Sequence, residues 1–173
     1  MPVLNPLSAL APGEGAVDVF LSVQSKRAGR IKGEAEAREH KDEIVITAWD
    51  WGVAASSSLG STQKTARRSY RNLTVSKRVD SSTTALLSVL ATNDEIKEAK
   101  LTVRKAGEGQ RDFFTLMLNN ARVTAVDLAC DATGTLTETV TFSFSRVQVD
   151  YELQQSTGQR GSGFSFHDEI LPT

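Results

Sequence analysis

The sequence is short of cysteine, histidine, proline and aromatic rings, and each shortage removes a class of explanation. One cysteine, Cys130, in 173 residues excludes an intramolecular disulfide. No basic cluster sits beside it, so the thiol is expected to be a small buried hydrophobe rather than a reactive group. The two histidines, His40 and His167, stand in no catalytic or metal motif. His40 and Glu43 form an H-x-x-E, but no cysteine pair or second histidine lies at the spacing a metal site needs. No G-x-S-x-G, G-x-G-x-x-G or G-x-x-x-x-G-K-[ST] occurs, which leaves nucleophile-elbow and phosphate-cradle chemistry without support. No enzyme activity and no cofactor are expected.

Charge of one sign is also lacking. Twenty Lys and Arg against 21 Asp and Glu give a net charge of −1, so no global field draws in nucleic acid or an acidic membrane. The local exception is Lys64, Arg67, Arg68 and Arg71 with Tyr70 between them. One ring among four cations is thin support for a single-strand platform. A solvated face or a salt-bridged subunit contact accounts for the cluster better, and no nucleic-acid partner is predicted. Apolar runs such as Phe113 to Leu118 are too short to cross a bilayer as a helix, so no membrane insertion is expected. Residues 1–16 carry no basic n-region, and Pro2, Pro6 and Pro12 break their apolar residues, so they do not read as a cleavable secretory signal.

The fourth proline is Pro172, which leaves Gly13 to Leu171 with every backbone donor, as central strands require. Alternation marks strands at Val17, Val19, Leu21 and Val23 and again at Leu73, Val75, Lys77 and Val79. Shorter cases follow at Leu101 and Val103, at Phe114, Leu116 and Leu118, and at Val123 to Leu128. Near the end, Leu136, Val140, Phe142 and Phe144 share one phase. From Val147 the apolar phase flips to Val147, Val149 and Tyr151, the mark of a bulge or corner where one strand serves two sheets. Leu86, Leu87, Leu90 and Ala91 fall at helical spacing after Asp80, Ser81 and Ser82, predicting a short helix at about 82–92 with Asn93 as its left-handed stop. Irregular segments are expected at 24–42, 54–66, 106–111, 129–134 and 154–163. Within them, Ala54 to Ser61 predicts a mobile loop, and Gly107 with Gly109 a hairpin turn. One domain over residues 16–173 follows, with residues 1–15 as an N-terminal extension.

Trp49 and Trp51 are the only tryptophans, and on a strand they share one face while Asp50 points to the other. The rings are expected in the core and Asp50 on the surface opposite them.

Several ordered motifs together resemble the haemolysin-coregulated protein (Hcp) family, the tube protein of type VI secretion. They are Ile31-Lys32-Gly33-Glu34, His40 to Ile44, Trp49-Asp50-Trp51-Gly52, Val79-Asp80 before the helix, Leu101 to Gly107 with Lys105, Leu136 to Val140, and Arg146 to Tyr151. The resemblance covers about residues 16–168. It implies a mainly β fold, a small two-sheet β-barrel with one short flanking α-helix. It also implies homohexameric rings stacked into a tube inside a contractile sheath, topped by the spike protein VgrG. The resemblance further implies small effectors carried in the lumen and a subunit that is cytoplasmic before firing and then exported through the apparatus. By the same resemblance Asp50 matches a lumen- and cargo-facing position, where an acidic ring would favour basic cargo. The loop holding Ala55, Ser56, Ser57, Ser58, Leu59, Gly60, Ser61 and Lys64 matches a segment that reaches the neighbouring ring. Arg67, Arg68, Arg71, Phe164, Phe166 and His167 are candidate subunit contacts. Thr84 stands where the family usually has proline, and Asn93 replaces a glycine. Two alternatives stay open: a tail-tube subunit of a phage or related injection particle, and a monomeric ligand-binding barrel.

Overall fold

In the computed structural model, which describes residues 16–56, 67–107, 110–154 and 160–170, the elements follow in order. They are β1 (Val17–Ser25), β2 (Gly29–Ile31), β3 (Ile44–Ile46), β4 (Ala48–Asp50), β5 (Val53–Ser56), β6 (Arg67–Tyr70) and β7 (Leu73–Arg78). After α1 (Thr83–Ala91) come β8 (Ile96–Lys105), β9 (Asp112–Cys130), β10 (Leu136–Ser143), β11 (Arg146–Gln154) and β12 (Arg160–Glu169). The expectation of a mainly β chain with one short helix holds.

The 19-residue strand β9 joins the two sheets. Its first half lies between β8 and β11, and its second half pairs with β10. The apolar phase of β9 steps from Leu116 and Leu118 to Ala121 and Val123, all buried. Asn120 supplies the step with a φ of 48°. Opposite it, Phe144 and Ser145 leave the ladder between Ser143↔Arg122 and Arg146↔Asn119. Both partners therefore bend at one place, which is the corner that the flip from Phe144 to Val147 predicted. Segment 44–50 is split the other way. Ile44–Ile46 pair with β1 and Ala48–Asp50 with β7, with Thr47 N–H donating to the Ser76 carbonyl at 2.8 Å. The hydrogen-bonded path β1–β8–β9–β10–β7 thus returns to β1 through that one segment.

Inside lie Leu21, Val23, Leu73, Val75, Leu101, Leu116, Leu118, Val140 and Phe142, capped at one side by Leu86 and Val89 of α1. Each such burial is worth ~1.5–3 kcal/mol against exposure. α1 ends as Asn93 allows: at φ 52° its N–H donates to Leu90 O at 3.1 Å, and Asp94 N–H donates to Val89 O at 3.0 Å. Those two bonds make a Schellman stop, with asparagine in the place glycine usually takes. Ser82 occupies the N-cap position, but its hydroxyl donates to Asp80 instead of accepting from the helix.

Four expectations need correction. Cys130 is exposed, because the last four residues of β9 run past the core. Leu136 is 54% exposed for the same reason, on the partner strand directly opposite Cys130. Ala54 to Ser56 belong to β5, paired with β6, rather than to a loop. β2 forms within 24–42, and 160–163 open β12, so those stretches are more regular than their composition suggested. Gly107 turns between β8 and β9 at φ 103°, as expected, while Gly109 lies outside the described residues.

Lys77 occupies the inward phase that alternation gave it, and its side chain has no exposure. Its ammonium pairs with Glu138 of β10, contacts Asp80 Oδ1 at 2.9 Å and donates to Thr83 Oγ1 at 3.3 Å, while Thr83 donates to Glu138 at 2.6 Å. This cluster ties two strands to the start of α1. Removing one partner strands a buried charge. Lys77→Ala is expected to cost ~3–5 kcal/mol, and the apolar pair Lys77→Met with Glu138→Leu far less. Urea midpoints at constant slope check this; equal losses in both variants would place the cost in packing rather than charge.

Candidate functional site

β5 and β6 form a two-stranded arm with no ladder to the main sheet among the described residues. Its root is closed by Arg71 N–H donating to Gly52 O at 2.8 Å. A side chain at Gly52 would run into the Arg71 guanidinium, 2.7 Å from an added Cβ. Alternation along β6 puts Arg68 and Tyr70 on one face. Both reach Asp168 of β12: Arg68 through Nε and through Nη2 at 3.0 Å, Tyr70 through its hydroxyl. The bonds from Tyr70 and then Arg68 hold the Asp168 carboxyl below the usual carboxylate value. Partial burial, then the bond to Asp168, pushes the Tyr70 phenol up. The Arg68 guanidinium is raised chiefly by its bond to Asp168.

β12 pairs only with β11, so its outer edge is open among the described residues. Phe164, 60% exposed, stacks on Tyr151 at 6.5 Å, and Phe166 is also exposed. The register Tyr151↔Phe164, Val149↔Phe166 and Val147↔Asp168 sets these rings on the face that carries Asp168. His167 and Ser165 take the other face, where Ser165 donates to Asp150.

Trp49 and Trp51 pack against the core from its rim and are half-buried rather than interior. Trp49 stacks on Phe114 at 5.7 Å, and Trp51 on Tyr70 at 5.9 Å with Phe144 at 6.5 Å. Asp50 is exposed as expected, but Arg71 Nη1 lies 3.7 Å from its carboxylate. The basic cluster is thus largely met within the chain: Arg68 by Asp168, Arg71 by Asp50. Arg67 is exposed on the opposite face of β6, and Lys64 lies outside the described residues. Of the ring-stacking candidates, Ala55 and Ser56 are exposed on β5, while Ser57, Ser58, Leu59, Gly60 and Ser61 lie outside the described residues.

The remaining motif residues hold the frame. A Cβ on Gly33 would stand 2.5 Å from Glu43 O, so only glycine lets the 33–43 loop close on itself. That loop lays His40 flat on Phe20, 4.5 Å between rings, with Nδ1 2.6 Å from Glu43 and Nε2 2.9 Å from Asp112. The H-x-x-E is therefore a direct side-chain contact, and among the described residues no His, Cys, Asp and Glu group could hold a metal. Glu34 borders a depression of about 420 Å³ with Val45, Arg78 and Asp80. Lys105 is exposed at the end of β8. Sequence reasoning missed Asp168 as the partner of Arg68 and Tyr70, since about 100 residues separate them.

The family model described as "Type VI secretion system effector, Hcp" matches residues 20–151. The chain belongs to the Hcp family. Protein hcp1 of Pseudomonas aeruginosa is 34% identical over 152 residues, covering 86% of this chain and 91% of that one. The crystal structure of Hcp1 from Salmonella typhimurium matches with a TM-score of 0.73 at 25% identity, over 90% of this chain and 95% of that one. A type VI secretion system effector from Yersinia pestis matches with a TM-score of 0.70 at 27% identity, over 88% and 100%. This Hcp chain keeps the family frame, and the Arg68–Asp168–Tyr70 contact joins its arm to its last described strand.

Three carboxylates are held below the ordinary value of 3.8: Asp94, first by Ser25; Asp131, first by Thr133; and Asp168, first by Tyr70. A depressed folded value stabilises the fold above the unfolded value and loses that contribution as pH falls through the folded value. Melting temperature is therefore expected to hold from pH 7 to about 4 on account of these groups and to fall below it. Asp94→Asn should flatten that acid limb in a pH series of thermal melts; an unchanged limb would remove Asp94 from the account.

Proposed function

We propose that the chain is the tube subunit of a type VI secretion apparatus, forming hexameric rings that stack and carry effectors in the lumen, without catalytic activity of its own. Family membership over residues 20–151 carries this reading. Two features of the geometry support it. The β5–β6 arm stands outside the main sheet, suited to reach a neighbouring ring. β12 offers an open edge with exposed Phe164 and Phe166, a surface that a neighbouring copy can cover. The spike protein VgrG, the contractile sheath and effector proteins are the further partners of that role. The subunit is held in the cytoplasm before firing and leaves through the apparatus.

Light scattering behind a sizing column across a concentration series tests the ring. The expected mass is six times the chain mass of 18.7 kDa. A monomer at every concentration, with no rings by electron microscopy, would favour a ligand-binding barrel instead.

Asp50 is assigned to the lumen, where it meets Arg71 and is not a bare acid. A near-neutral pair discriminates little between basic and acidic cargo. Asp50→Ser would leave Arg71 unopposed around the ring and is expected to raise retention of acidic cargo several-fold, by complementarity. Co-purification of matched acidic and basic test cargoes reads this. Equal retention of both by wild type and variant would remove Asp50 from the lumen. Because the pair is exposed, the substitution is expected to leave the melting temperature nearly unchanged.

A further inference from the structure

Among the described residues the arm has two strands and no hydrogen-bonded ladder to the rest of the sheet, so its direction must be set by something other than that pairing. At the root the chain is pinned by Arg71 N–H to Gly52 O and by the exposed Asp50–Arg71 pair. A root alone leaves a hinge. Further out, beyond the arm's own two strands, the described side-chain bonds from β6 run to β12, where Asp168 takes Arg68 and Tyr70 together. Tyr70 is gripped twice, since its ring also stacks with Trp51 at 5.9 Å and meets Phe144 edge-on at 5.9 Å.

β12 is the other partner of this contact. Among the described residues it pairs with β11 alone. Asp168, near its end, faces the arm, while its exposed Phe164 and Phe166 lie further along the same face. The arm and the edge strand β12 are thus fastened to one another by a single carboxylate. Its bonds are charge-assisted, and the Arg68 contact is forked, so the geometry is directional as well as attractive.

We infer that Asp168 is a positioning residue, whose clamp on Arg68 and Tyr70 sets the direction of the arm and makes arm and C-terminal strand move as one unit. This rests on the proposed tube role for its consequence. The arm is the element assigned to the neighbouring ring, and β12 carries side chains assigned to the neighbouring copy. A change at the lateral contact would then be felt in stacking, because the clamp links the two.

Hydrogen exchange on the full chain decides the clamp without reference to assembly. Arg68→Asp and Asp168→Arg are each expected to speed exchange at the amides of 53–56 and 67–70 by about tenfold or more, as loss of a charge-assisted contact implies. Core amides of β8 and β9 should be unchanged. The double variant Arg68→Asp with Asp168→Arg restores a pair of opposite charge and is expected to recover most of the protection. Asp168→Asn, close in shape, guards against a simple folding failure and should show the same arm loosening to a smaller degree. Unchanged arm exchange in the single variants, or no recovery in the double variant, would overturn the clamp. In the same samples, ring mass and the fraction of stacked rings are read separately. Loss of stacking with ring mass intact supports the linkage, whereas loosened arms that stack as well as wild type overturn it. A wild type that forms no rings counts against the tube role, and the clamp is still decided by exchange.

Discussion

A strand of 19 residues cannot stay flat and serve one sheet, and β9 does not. It enters beside β8, bends at Asn120, and leaves beside β10. The antiparallel partner must bend with it, so Phe144 and Ser145 drop out of the ladder while the register on either side stays the same. Everything else follows from holding that corner. The inner face of one sheet is completed by Leu116, Leu118 and Val147, that of the other by Val123, Val140 and Phe142, and the two sets face one core. A single strand edge, segment 44–50, then has to meet β1 and β7 in turn, which it does by turning at Thr47.

The corner was legible because it leaves a trace in composition. A phase flip in an alternating run has few causes, and the flip between Phe144 and Val147 lies where the chain turns. The helix was legible for a similar local reason, since the spacing of Leu86 and Leu90 and the left-handed tolerance of Asn93 are properties of neighbours. The site was legible only in part. Arg68, Tyr70 and Phe164 could be singled out as odd surface residues, but nothing in sequence joins position 68 to position 168. That join is made by topology, which brings β12 past the arm. Arg104 shows the same limit. It is buried, with its guanidinium 5.0 Å from the Phe20 ring, because the 33–43 loop covers the outer face of β1 and β8. Alternation over Leu101 and Val103 expects one wet face there, and the loop removes it.

Two errors have a common physical source. Cys130 was expected inside because cysteine is among the most buried residue types, and Leu136 because it keeps the apolar phase. Both lie where the β9–β10 hairpin overruns the core, so phase says which way they point but not whether anything is there to meet them. Glu138, two residues on from Leu136 in the same phase, is fully buried and answered by Lys77. A polar residue on an apolar face reads as a flaw in the pattern until its partner on the next strand is known. Lys77 and Glu138 are register partners, and either alone would be untenable.

The distribution of these features bears on the proposed assembly role. The buried Lys77 is paired with Glu138, and the His40 ring contacts Glu43 and Asp112. Among the described residues, β12 pairs with β11 alone and carries the exposed Phe164 and Phe166, and the arm stands apart from the main sheet. An open, partly aromatic edge is an aggregation hazard in a free monomer and a docking surface in a ring. Fastening the arm to that edge through Asp168 reduces the ways either can stray. On the proposed tube role, the same bond also presents both elements to a neighbouring copy in a fixed relation.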